Sequence, residues 1–398
     1  MNAFDRHAVA LASSPDADAC AVSVLLPCLN EARTVGTCVT KALETLRSLR
    51  IRGEVIVIDN GSTDASAEIA ERCGARVVRE PRRGYGQALM CGVEAARAPF
   101  IIMADADDSY DLTDLARFIN GLRAGADLVM GSRRRGTIKP GAMPWLHRWI
   151  GNPLASALAN LLFRVGVSDT HCGMRAFTRD AYRRMQLQTT GMEFASEMVI
   201  KAALGKMRIR EIPITLSPDG RNRRSHLRAF RDGWRHLRFM LLFSPTYLFL
   251  VPGAGCITVG LFAQLALMRG PRRLLGVTFD IHYMVVGSLV TLLGFQLITT
   301  GLFVKAYSHA ARLHARDRTL QLLSRYFNLE RGLLAGAGVF AVGLFLNATI
   351  LYDWLRSGMG ALNAVRPALL GSTLMVLGAQ VVCASFFMSM LAIGRRQD

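Results

Sequence analysis

Acidic residues and closely spaced cysteines are scarce in this sequence. The chain of 398 residues has 30 aspartates and glutamates against 48 lysines and arginines, so its formal net charge is +18 at pH 7. This excess suggests an anionic partner such as an acidic membrane surface, a phosphorylated substrate or nucleic acid. None of the eight cysteines forms a Cys-x-x-Cys pair, which argues against a zinc site and a disulfide framework. Scattered thiols fit a reducing cytosol.

Charge is also scarce in the second half of the chain. Four apolar segments lie there, near 240–267, 282–304, 333–354 and 368–393. Each is long enough for the ~20 residues of a membrane-spanning helix. The sequence predicts an all-α bundle of four transmembrane helices over residues 241–393. Residues 1–20 lack a basic start and a long apolar core, so we expect a flexible leader there and no signal peptide.

Basic residues between the apolar segments favour one orientation in the membrane. Eight lysines and arginines fall in the loop 305–331 and the C-terminal tail, whereas five fall in the two other loops. Basic residues concentrate on the cytoplasmic side of membrane proteins. We therefore expect an integral, multi-pass protein of the inner or plasma membrane, with the first half of the chain and the C-terminus in the cytoplasm.

The first half of the chain alternates strand-like and helix-like segments. Short apolar runs occur at 21–27, 54–59, 75–78, 100–105 and 127–132. Strand and helix in turn are typical of a parallel sheet covered on both faces, which binds ligands at the carboxyl ends of its strands. Polar clusters stand at three such ends, namely Asn30-Glu31, Asp59–Asp64 and Asp105–Asp108. The sequence predicts an α/β domain with a ligand site at that edge.

The acidic segment MADADDSYD (103–111) stands out in a basic chain. Carboxylates at a strand end repel one another unless a cation lies between them, and Mg²⁺ and Mn²⁺ commonly bridge carboxylates to substrate phosphates. Asp105 and Asp107 lie on the same side of an extended stretch, which suits one metal held against a diphosphate. The alternative is a solvated loop in which Asp108, Ser109 or Asp111 caps the following helix.

Two further segments predict helices at a membrane surface. Residues 221–240 interleave arginines with apolar residues at helical spacing, and residues 143–163 carry Trp145 and Trp149 as candidate interfacial anchors. The alternative for 143–163 is a buried helix of the soluble domain. Because 221–240 adjoins a membrane segment, we expect its arginines to contact membrane lipids and not nucleic acid.

Five motifs carry a resemblance to a known family. LPCLNE, VIDNGSTD, MADADDSYD, MGSR and DTHCGMRAF occur in this order. Over residues 21–240 the chain resembles the family 2 glycosyltransferases, and among them the polyprenyl-phosphate sugar synthases of the dolichyl-phosphate mannose and glucose type. The resemblance implies a GT-A (Rossmann-like) domain at 21–220, followed by the juxtamembrane helix 221–240 and the membrane helices. It also implies a UDP- or GDP-sugar donor, Mg²⁺ or Mn²⁺, a polyprenyl-phosphate acceptor and inversion at the anomeric carbon.

The resemblance assigns roles to individual residues. It implies that the metal ligands are Asp105 and Asp107 and that the catalytic residues are Asp107, Asp169 and Arg133. It implies nucleotide-sugar contacts for Pro27, Asn30, Glu31, Asp59, Asp105 and Glu197. It implies acceptor-phosphate contacts for Arg133, Arg148, Asn152 and Arg224. The sequence departs from the family pattern at Asn60, Ser109, Cys172 and His226.

The expected activity is transfer of one sugar to a polyprenyl phosphate, and two other functions stay open. A processive polysaccharide synthase usually carries a Gln-x-x-Arg-Trp segment, which this sequence lacks. A non-catalytic flippase or assembly subunit is the other alternative, and the retained Asp-x-Asp motif argues against it. The phrasing DNGSTD, GYGQAL and DADDSYD is nearer the glucose-synthase-like branch and favours UDP-glucose. Homo-oligomerisation is left open.

Overall fold

The computed structural model describes residues 20–220, 229–274, 276–310 and 328–393. The chain forms two compact units, Met1–Met240 and Leu241–Asp398. Residues 1–19 of the predicted leader lie outside the described residues.

Seven strands build the sheet of the first unit. They are β1 (Val22–Cys28), β2 (Gly53–Asp59), β3 (Arg76–Arg79), β4 (Phe100–Met103), β5 (Leu128–Ile138), β6 (Arg175–Thr178) and β7 (Ile209–Leu216). Their order across the sheet is β3-β2-β1-β4-β6-β5-β7. The five apolar runs of the sequence correspond to β1–β5, so the predicted α/β domain is confirmed.

One strand runs against the direction that strand–helix alternation predicts. β1 pairs in parallel with β2 and β4, and β5 pairs in parallel with β7, but β6 lies antiparallel between β4 and β5. The chain enters β6 at the carboxyl edge, since Arg175 at its start pairs with Met103 at the end of β4. The expectation of a wholly parallel sheet is wrong at β6. The reversed strand delivers the loop before it to the ligand edge.

Amphipathic helices cover the sheet. In α1 (Val35–Ser48) the buried side chains Val35, Val39, Ala42 and Leu46 recur at helical spacing and join the hydrophobic core. Burying a valine or leucine contributes about 1.5–3 kcal/mol, so this face anchors the helix. The other helices of this part of the chain are α2 (Ser66–Arg72), α3 (Tyr85–Ala95), α4 (Leu115–Arg123), α5 (Asn152–Phe163), α6 (Arg179–Met185), α7 (Phe194–Leu204) and α8 (Ala229–Leu242).

Four long helices make up the second unit. They are α9 (Val251–Leu267), α10 (Ile281–Ala310), α11 (Leu329–Arg356) and α12 (Val365–Ile393). With the π-helical turn Thr246–Leu250 before α9, they supply four segments long and apolar enough to cross a membrane. This confirms the predicted four-helix membrane region. α9 packs on α10, α11 packs on α12, and α10 contacts α12. A small ribbon of β8 (Arg272–Leu274) and β9 (Val277–Phe279) lies between α9 and α10.

Candidate active site

Two carboxylates of the acidic segment lie directly after β4. Asp107 is buried, and its Oδ1 accepts hydrogen bonds from the Ser109 amide at 3.1 Å and the Ser109 hydroxyl at 2.5 Å. Asp105 Oδ1 accepts a bond of 3.2 Å from the Tyr85 hydroxyl. Each carboxylate thus accepts a hydrogen bond that orients it at the carboxyl edge of the sheet, where the sequence places it.

The other two carboxylates serve the local fold. Asp108 has a left-handed backbone (φ 59°) and forms an ion pair with Lys41 at 2.7 Å. Asp111 caps the short 3-10 helix Leu112–Asp114 by accepting bonds from the Thr113 amide at 3.0 Å and hydroxyl at 2.8 Å. The segment therefore divides between a pair at the strand end and two structural aspartates.

A close approach at Gly173 brings the loop before β6 against Asp105. A Cβ atom on Gly173 would lie 2.7 Å from Asp105 Oδ2 and 3.0 Å from the Tyr110 hydroxyl. The Gly173 amide donates to that hydroxyl at 2.9 Å. Because a side chain would force the two loops apart, glycine sets the distance between the end of β4 and the loop that carries Asp169.

Asp169 and Arg133 form a buried ion pair with two arms. Arg133 Nε lies 2.7 Å from Asp169 Oδ2, and Nη2 lies 2.8 Å from Oδ1. The Arg133 amide donates to the same carboxylate at 3.1 Å. Burial raises the pKa of Asp169, but the hydrogen bonds and charge of Arg133 outweigh it and hold that pKa below its ordinary value. The pair ties β5 to the loop before β6.

Arg175 organises the same loop from inside the protein, a role that sequence reasoning missed. Its side chain is fully buried. Nε donates to the Cys172 carbonyl at 2.8 Å, Nη2 to the Thr170 carbonyl at 2.9 Å and Nη1 to the Ala195 carbonyl at 2.5 Å. The position of Arg175 inside the DTHCGMRAF motif is the sequence feature that could have pointed to this role.

Two histidines connect this loop to α8, and sequence reasoning gave neither a role. The rings of His171 and His236 meet edge to face, with centroids 4.6 Å apart. Each Nδ1 shares a hydrogen bond with a hydroxyl, His236 with Ser196 at 2.8 Å and His171 with Thr170 at 2.9 Å. Burial, followed by the charge of His236, lowers the pKa of His171 to about 3. His171 is therefore neutral at physiological pH.

The residues expected along the nucleotide meet at the ends of β1 and β2. Pro27 lies in β1 beside Ile58. Asn30, Glu31 and Asp59 each join the turn after β2. Asn30 Oδ1 accepts from Thr63 N at 2.7 Å, Glu31 N donates to Ser66 Oγ at 2.7 Å, and Asp59 Oδ1 accepts from Ser62 N at 3.0 Å. The structure brings these residues together, and their role in binding a nucleotide stays a prediction.

Asn60 stands where the family pattern has an aspartate, and its side chain donates hydrogen bonds that an ionised carboxylate cannot donate. Its amide nitrogen donates to the carbonyls of Glu80 at 2.9 Å and Arg82 at 2.8 Å, and its oxygen accepts from the Gly84 amide at 2.8 Å. An ionised aspartate has no donor for the first two bonds. Asn60 therefore holds the loop that leads into α3.

Glu197 and Glu193 differ in what their carboxylates contact. Glu197 is buried, and it accepts bonds from Gln188 and Thr189 and pairs with Lys201 at 2.7 Å. These contacts hold Glu197 inside the local fold of α7. Glu193 has a buried Oε2 without a hydrogen-bond partner among the described residues. A buried carboxylate oxygen without a partner is costly unless a ligand supplies one, so Glu193 is the stronger candidate for contacting the donor.

Arg148 and Asn152 lie on one exposed, apolar helical segment. Arg148 belongs to a π-helical turn, His147–Gly151, that continues into α5, and its guanidinium lies 5.3 Å from the Trp149 ring. Trp145 and Trp149 are 67% and 61% exposed. Exposed tryptophans beside a cation are typical of a membrane interface, and they argue against a buried helix. The acceptor role of both residues stays a prediction, and Arg224 lies outside the described residues.

The donor set at the end of β4 fits a hard divalent cation. Asp105 and Asp107 offer carboxylate oxygens, which Mg²⁺ and Mn²⁺ prefer. No group of three or more His, Cys, Asp or Glu side chains that could share a metal is found in the described ranges. Mg²⁺ commonly binds one or two carboxylates and completes its shell with water and substrate phosphates. Two carboxylates thus suit a metal that binds together with a diphosphate.

Comparison with known proteins identifies the family. Residues 23–185 match the model of glycosyl transferase family 2, and residues 302–392 match that of the glycosyltransferase family 2 C-terminal transmembrane region. A low-salt glycan biosynthesis hexosyltransferase from Haloferax volcanii is 40% identical over 380 residues, 95% of this chain and 91% of the relative. A dolichyl-phosphate hexose transferase from the same organism is 34% identical over 196 residues, 48% of this chain and 81% of the relative.

Solved structures also show similarity. Glucosyl-3-phosphoglycerate synthase from Mycobacterium tuberculosis, crystallised with Mn²⁺, UDP and glucosyl-3-phosphoglycerate, is 22% identical with a TM-score of 0.46, covering 61% of this chain and 84% of that one. The first match covers β1–β6 and the acidic segment, and the second covers α11 and α12. The chain belongs to glycosyltransferase family 2 and is a glycosyltransferase with a transmembrane C-terminal region.

Proposed function

We propose that this glycosyltransferase moves one hexose from a nucleotide sugar to a polyprenyl phosphate, with inversion, at the cytoplasmic face of the membrane. The observation that carries the proposal is the close approach at Gly173, where the loop of the Asp169–Arg133 pair meets Asp105. A carboxylate pair that fits a metal and an arginine that suits phosphate are thereby joined through one loop. The sugar donor and the lipid acceptor each carry phosphate, so one site must bind both negatively charged groups.

The donor binds at the ends of β1, β2 and β4. Asn30, Glu31 and Asp59 contact the nucleoside, and Asp105 and Asp107 would hold Mg²⁺ or Mn²⁺ against the diphosphate. The cation would supply charge stabilisation to the departing diphosphate. The relative named as a hexosyltransferase supports a hexose, and the glucose-synthase-like motifs favour UDP-glucose.

The acceptor needs positioning more than it needs a general base. A phosphate monoester has a second pKa of about 6, so it is mostly a dianion at neutral pH and attacks carbon without a strong base. Arg133 offers a planar guanidinium that suits phosphate, and Asp169 holds that guanidinium in a fixed direction. Holding the phosphate in line with the leaving group lowers much of the remaining barrier.

A lipid acceptor agrees with the surface of the first unit. The segment His147–Phe163 exposes Trp149 and Leu154 beside Arg148, which suits contact with lipid headgroups. A relative whose name specifies dolichyl phosphate supports an acceptor of this class. The distribution of basic residues between the membrane helices supports the cytoplasmic side.

The test is a transfer assay with the full chain in nanodiscs. UDP- and GDP-sugars would be supplied with undecaprenyl or dolichyl phosphate, and the lipid fraction analysed by mass spectrometry. We expect a lipid phosphate carrying one hexose, and NMR of the product should show the anomeric configuration inverted. Long polymer would instead identify a processive synthase. Release of nucleotide diphosphate without a glycolipid would contradict the proposed acceptor.

A further inference from the structure

The second unit, Leu241–Asp398, is called the membrane unit here, and its two helical hairpins, α9–α10 and α11–α12, share short stretches of sequence. GAGCITVGLFAQ (253–264) in α9 and GAGVFAVGLFLN (336–347) in α11 are identical at seven of twelve positions. GSLVTLLGFQ (287–296) in α10 and GSTLMVLGAQ (371–380) in α12 are identical at five of ten. The offsets are 83 residues (336 minus 253) and 84 residues (371 minus 287), so the two hairpins align with a difference of one residue.

Equivalent glycines make equivalent contacts in the two hairpins. A Cβ on Gly253 would lie 2.7 Å from the Gly294 carbonyl oxygen, and one on Gly294 would lie 2.6 Å from that of Gly253. In the second hairpin a Cβ on Gly336 would lie 2.8 Å from the Gly378 carbonyl oxygen, and one on Gly378 would lie 2.6 Å from the Gly336 carbonyl oxygen. The helices of each pair therefore cross backbone to backbone at the same place.

A second close approach lies seven residues later in α9 and α11 and seven residues earlier in α10 and α12. There Gly260 meets Gly287 in the first hairpin, and Gly343 meets Gly371 in the second. Membrane helices associate through small residues that let their backbones approach closely, because close packing replaces the hydrophobic driving force that lipid removes. The side-chain amides next to this crossing are also equivalent. Gln264 donates to Thr291 at 3.3 Å, and Asn347 points to the Met375 sulfur at 3.5 Å.

The two hairpins meet through equivalent residues. The rings of Phe303 in α10 and Phe387 in α12 lie 4.4 Å apart, and these residues are separated by the offset of 84 (387 minus 303). When two copies of one unit associate about a two-fold axis, a residue on the axis contacts its own equivalent. The Phe303–Phe387 contact therefore marks an approximate two-fold axis between α10 and α12.

We propose that the membrane unit is a tandem duplication of one helical hairpin, and that the face shared by α10 and α12 is an association surface whose partner is the other copy in the same chain. One chain then builds a complete four-helix membrane unit. This inference does not depend on which sugar or acceptor the enzyme uses.

Divergence between the copies favours the partner within the chain. Thr373 in α12 shares a hydrogen bond with Ser288 at 2.7 Å and donates to Gln264 at 3.1 Å. The residue equivalent to Thr373 in the first hairpin is Leu289, which has no polar atom. Two first hairpins from different chains would lack these bonds, and a buried Gln264 carbonyl would lose a donor. The α10 face of the first hairpin is therefore expected to pair with the second hairpin and not with another copy of the first.

Cross-linking of the full chain tests the pairing. In a background with the native cysteines replaced, Phe303→Cys and Phe387→Cys would be combined and treated with a short thiol-specific cross-linker in nanodiscs. We expect a cross-link inside one chain, seen as a shifted monomer and a linked peptide pair. Phe303→Cys alone should stay monomeric. A cross-linked dimer of the single variant, or of the double variant, would overturn the proposal.

A glycine series tests the duplication without cross-linking. Gly253→Ala and Gly336→Ala should lower the thermal midpoint by similar amounts, because each added Cβ meets a carbonyl oxygen across the crossing. Gly255→Ala and Gly338→Ala are matched controls in the same GAG motifs, since a Cβ at either position meets nothing within 4 Å. The controls should leave the midpoint unchanged or raise it. A lowered thermal midpoint in only one of the two variants, or an equal decrease in the controls, would contradict the equivalence of the two hairpins.

Discussion

Arg133 holds the Asp169 carboxylate with two parallel hydrogen bonds of 2.7 and 2.8 Å, a geometry that the guanidinium group allows and an ammonium does not. We expect Arg133→Lys to lose transfer and to weaken the fold by about 1.5–3 kcal/mol, the range for hydrogen bonds to charged groups. Parallel transfer and denaturant-unfolding measurements would check both effects. The matched control is Arg135→Lys, because Arg135 is exposed and its pair with Glu211 needs one contact of 3.1 Å. Equal loss in the control would contradict a special role for Arg133.

The same pair gives a dependence on pH. Because the folded-state pKa of Asp169 lies below its ordinary value, the pair contributes stability above that ordinary value and loses it as pH falls through the folded-state pKa. In Arg133→Lys the carboxylate has a weaker partner and its folded-state pKa lies closer to the ordinary value, so the acid-induced loss of stability should be smaller and should be complete at a higher pH. Unfolding curves of both proteins between pH 3 and 7 would show this shift. Superimposable profiles would mean that Arg133 is not what lowers the pKa.

Removing one negative charge from the acidic segment should lower the rate of sugar transfer at position 107 and leave it unchanged at position 111. Asp107→Asn should lower transfer by about 100-fold or more, because a first ligand of the proposed metal is lost. Asp111→Asn removes the same charge four residues away, and asparagine still caps the 3-10 helix. Initial rates over a Mn²⁺ titration, with circular dichroism to check the fold, would compare the two variants. Comparable rates for Asp107→Asn and wild type would remove the metal role.

The half-buried His171 should make the protein sensitive to acid. Its pKa is about 3 in the folded protein, whereas an unfolded histidine titrates near its ordinary value of about 6.5. Between these values the unfolded chain binds more protons, so stability rises with pH across this window and falls on acidification. In His171→Gln this contribution should disappear, giving a flatter stability profile between pH 4 and 6.5. A variant as acid-sensitive as wild type would contradict this assignment.

The two glutamates at the start of α7 should respond differently to removal of their charge. Glu193→Gln should raise the KM for the nucleotide sugar about tenfold with little change in thermal midpoint, because the buried Oε2 lacks a partner in the described structure. Glu197→Gln should lower the midpoint, because the pair with Lys201 is buried. Donor titrations and thermal unfolding of the purified variants would separate these effects. An unchanged donor KM in Glu193→Gln would refute the contact.

Much of the fold follows from local patterns in the sequence. The runs that become β1–β5 are continuous and apolar because both faces of the sheet are covered. The four membrane helices are visible because a bilayer demands long uncharged segments. The reversal of β6 was not predictable in this way. Strand direction depends on where the chain re-enters the sheet, and a run of four residues such as Arg175–Thr178 carries no sign of it.

The candidate site was foreseen in part, for a similar reason. Asp105 and Asp107 follow a strand end and could be located by position alone. Asp111 caps the following 3-10 helix, which the sequence offered as the alternative use of this segment, whereas the pairing of Asp108 with Lys41 depends on a tertiary contact. Arg175 and His236 act through carbonyls and rings that are distant in sequence. Residue type and spacing could not separate these uses.

The tight approach at Gly173 has a consequence for engineering the enzyme. Residue 173 has no side chain, and a Cβ atom there would lie 2.7 Å from the Asp105 carboxylate and 3.0 Å from the Tyr110 hydroxyl. Libraries that vary the loop to alter sugar preference should therefore keep this codon fixed and randomise its neighbours. At position 173 a selection experiment would retain glycine because the space there does not admit a side chain.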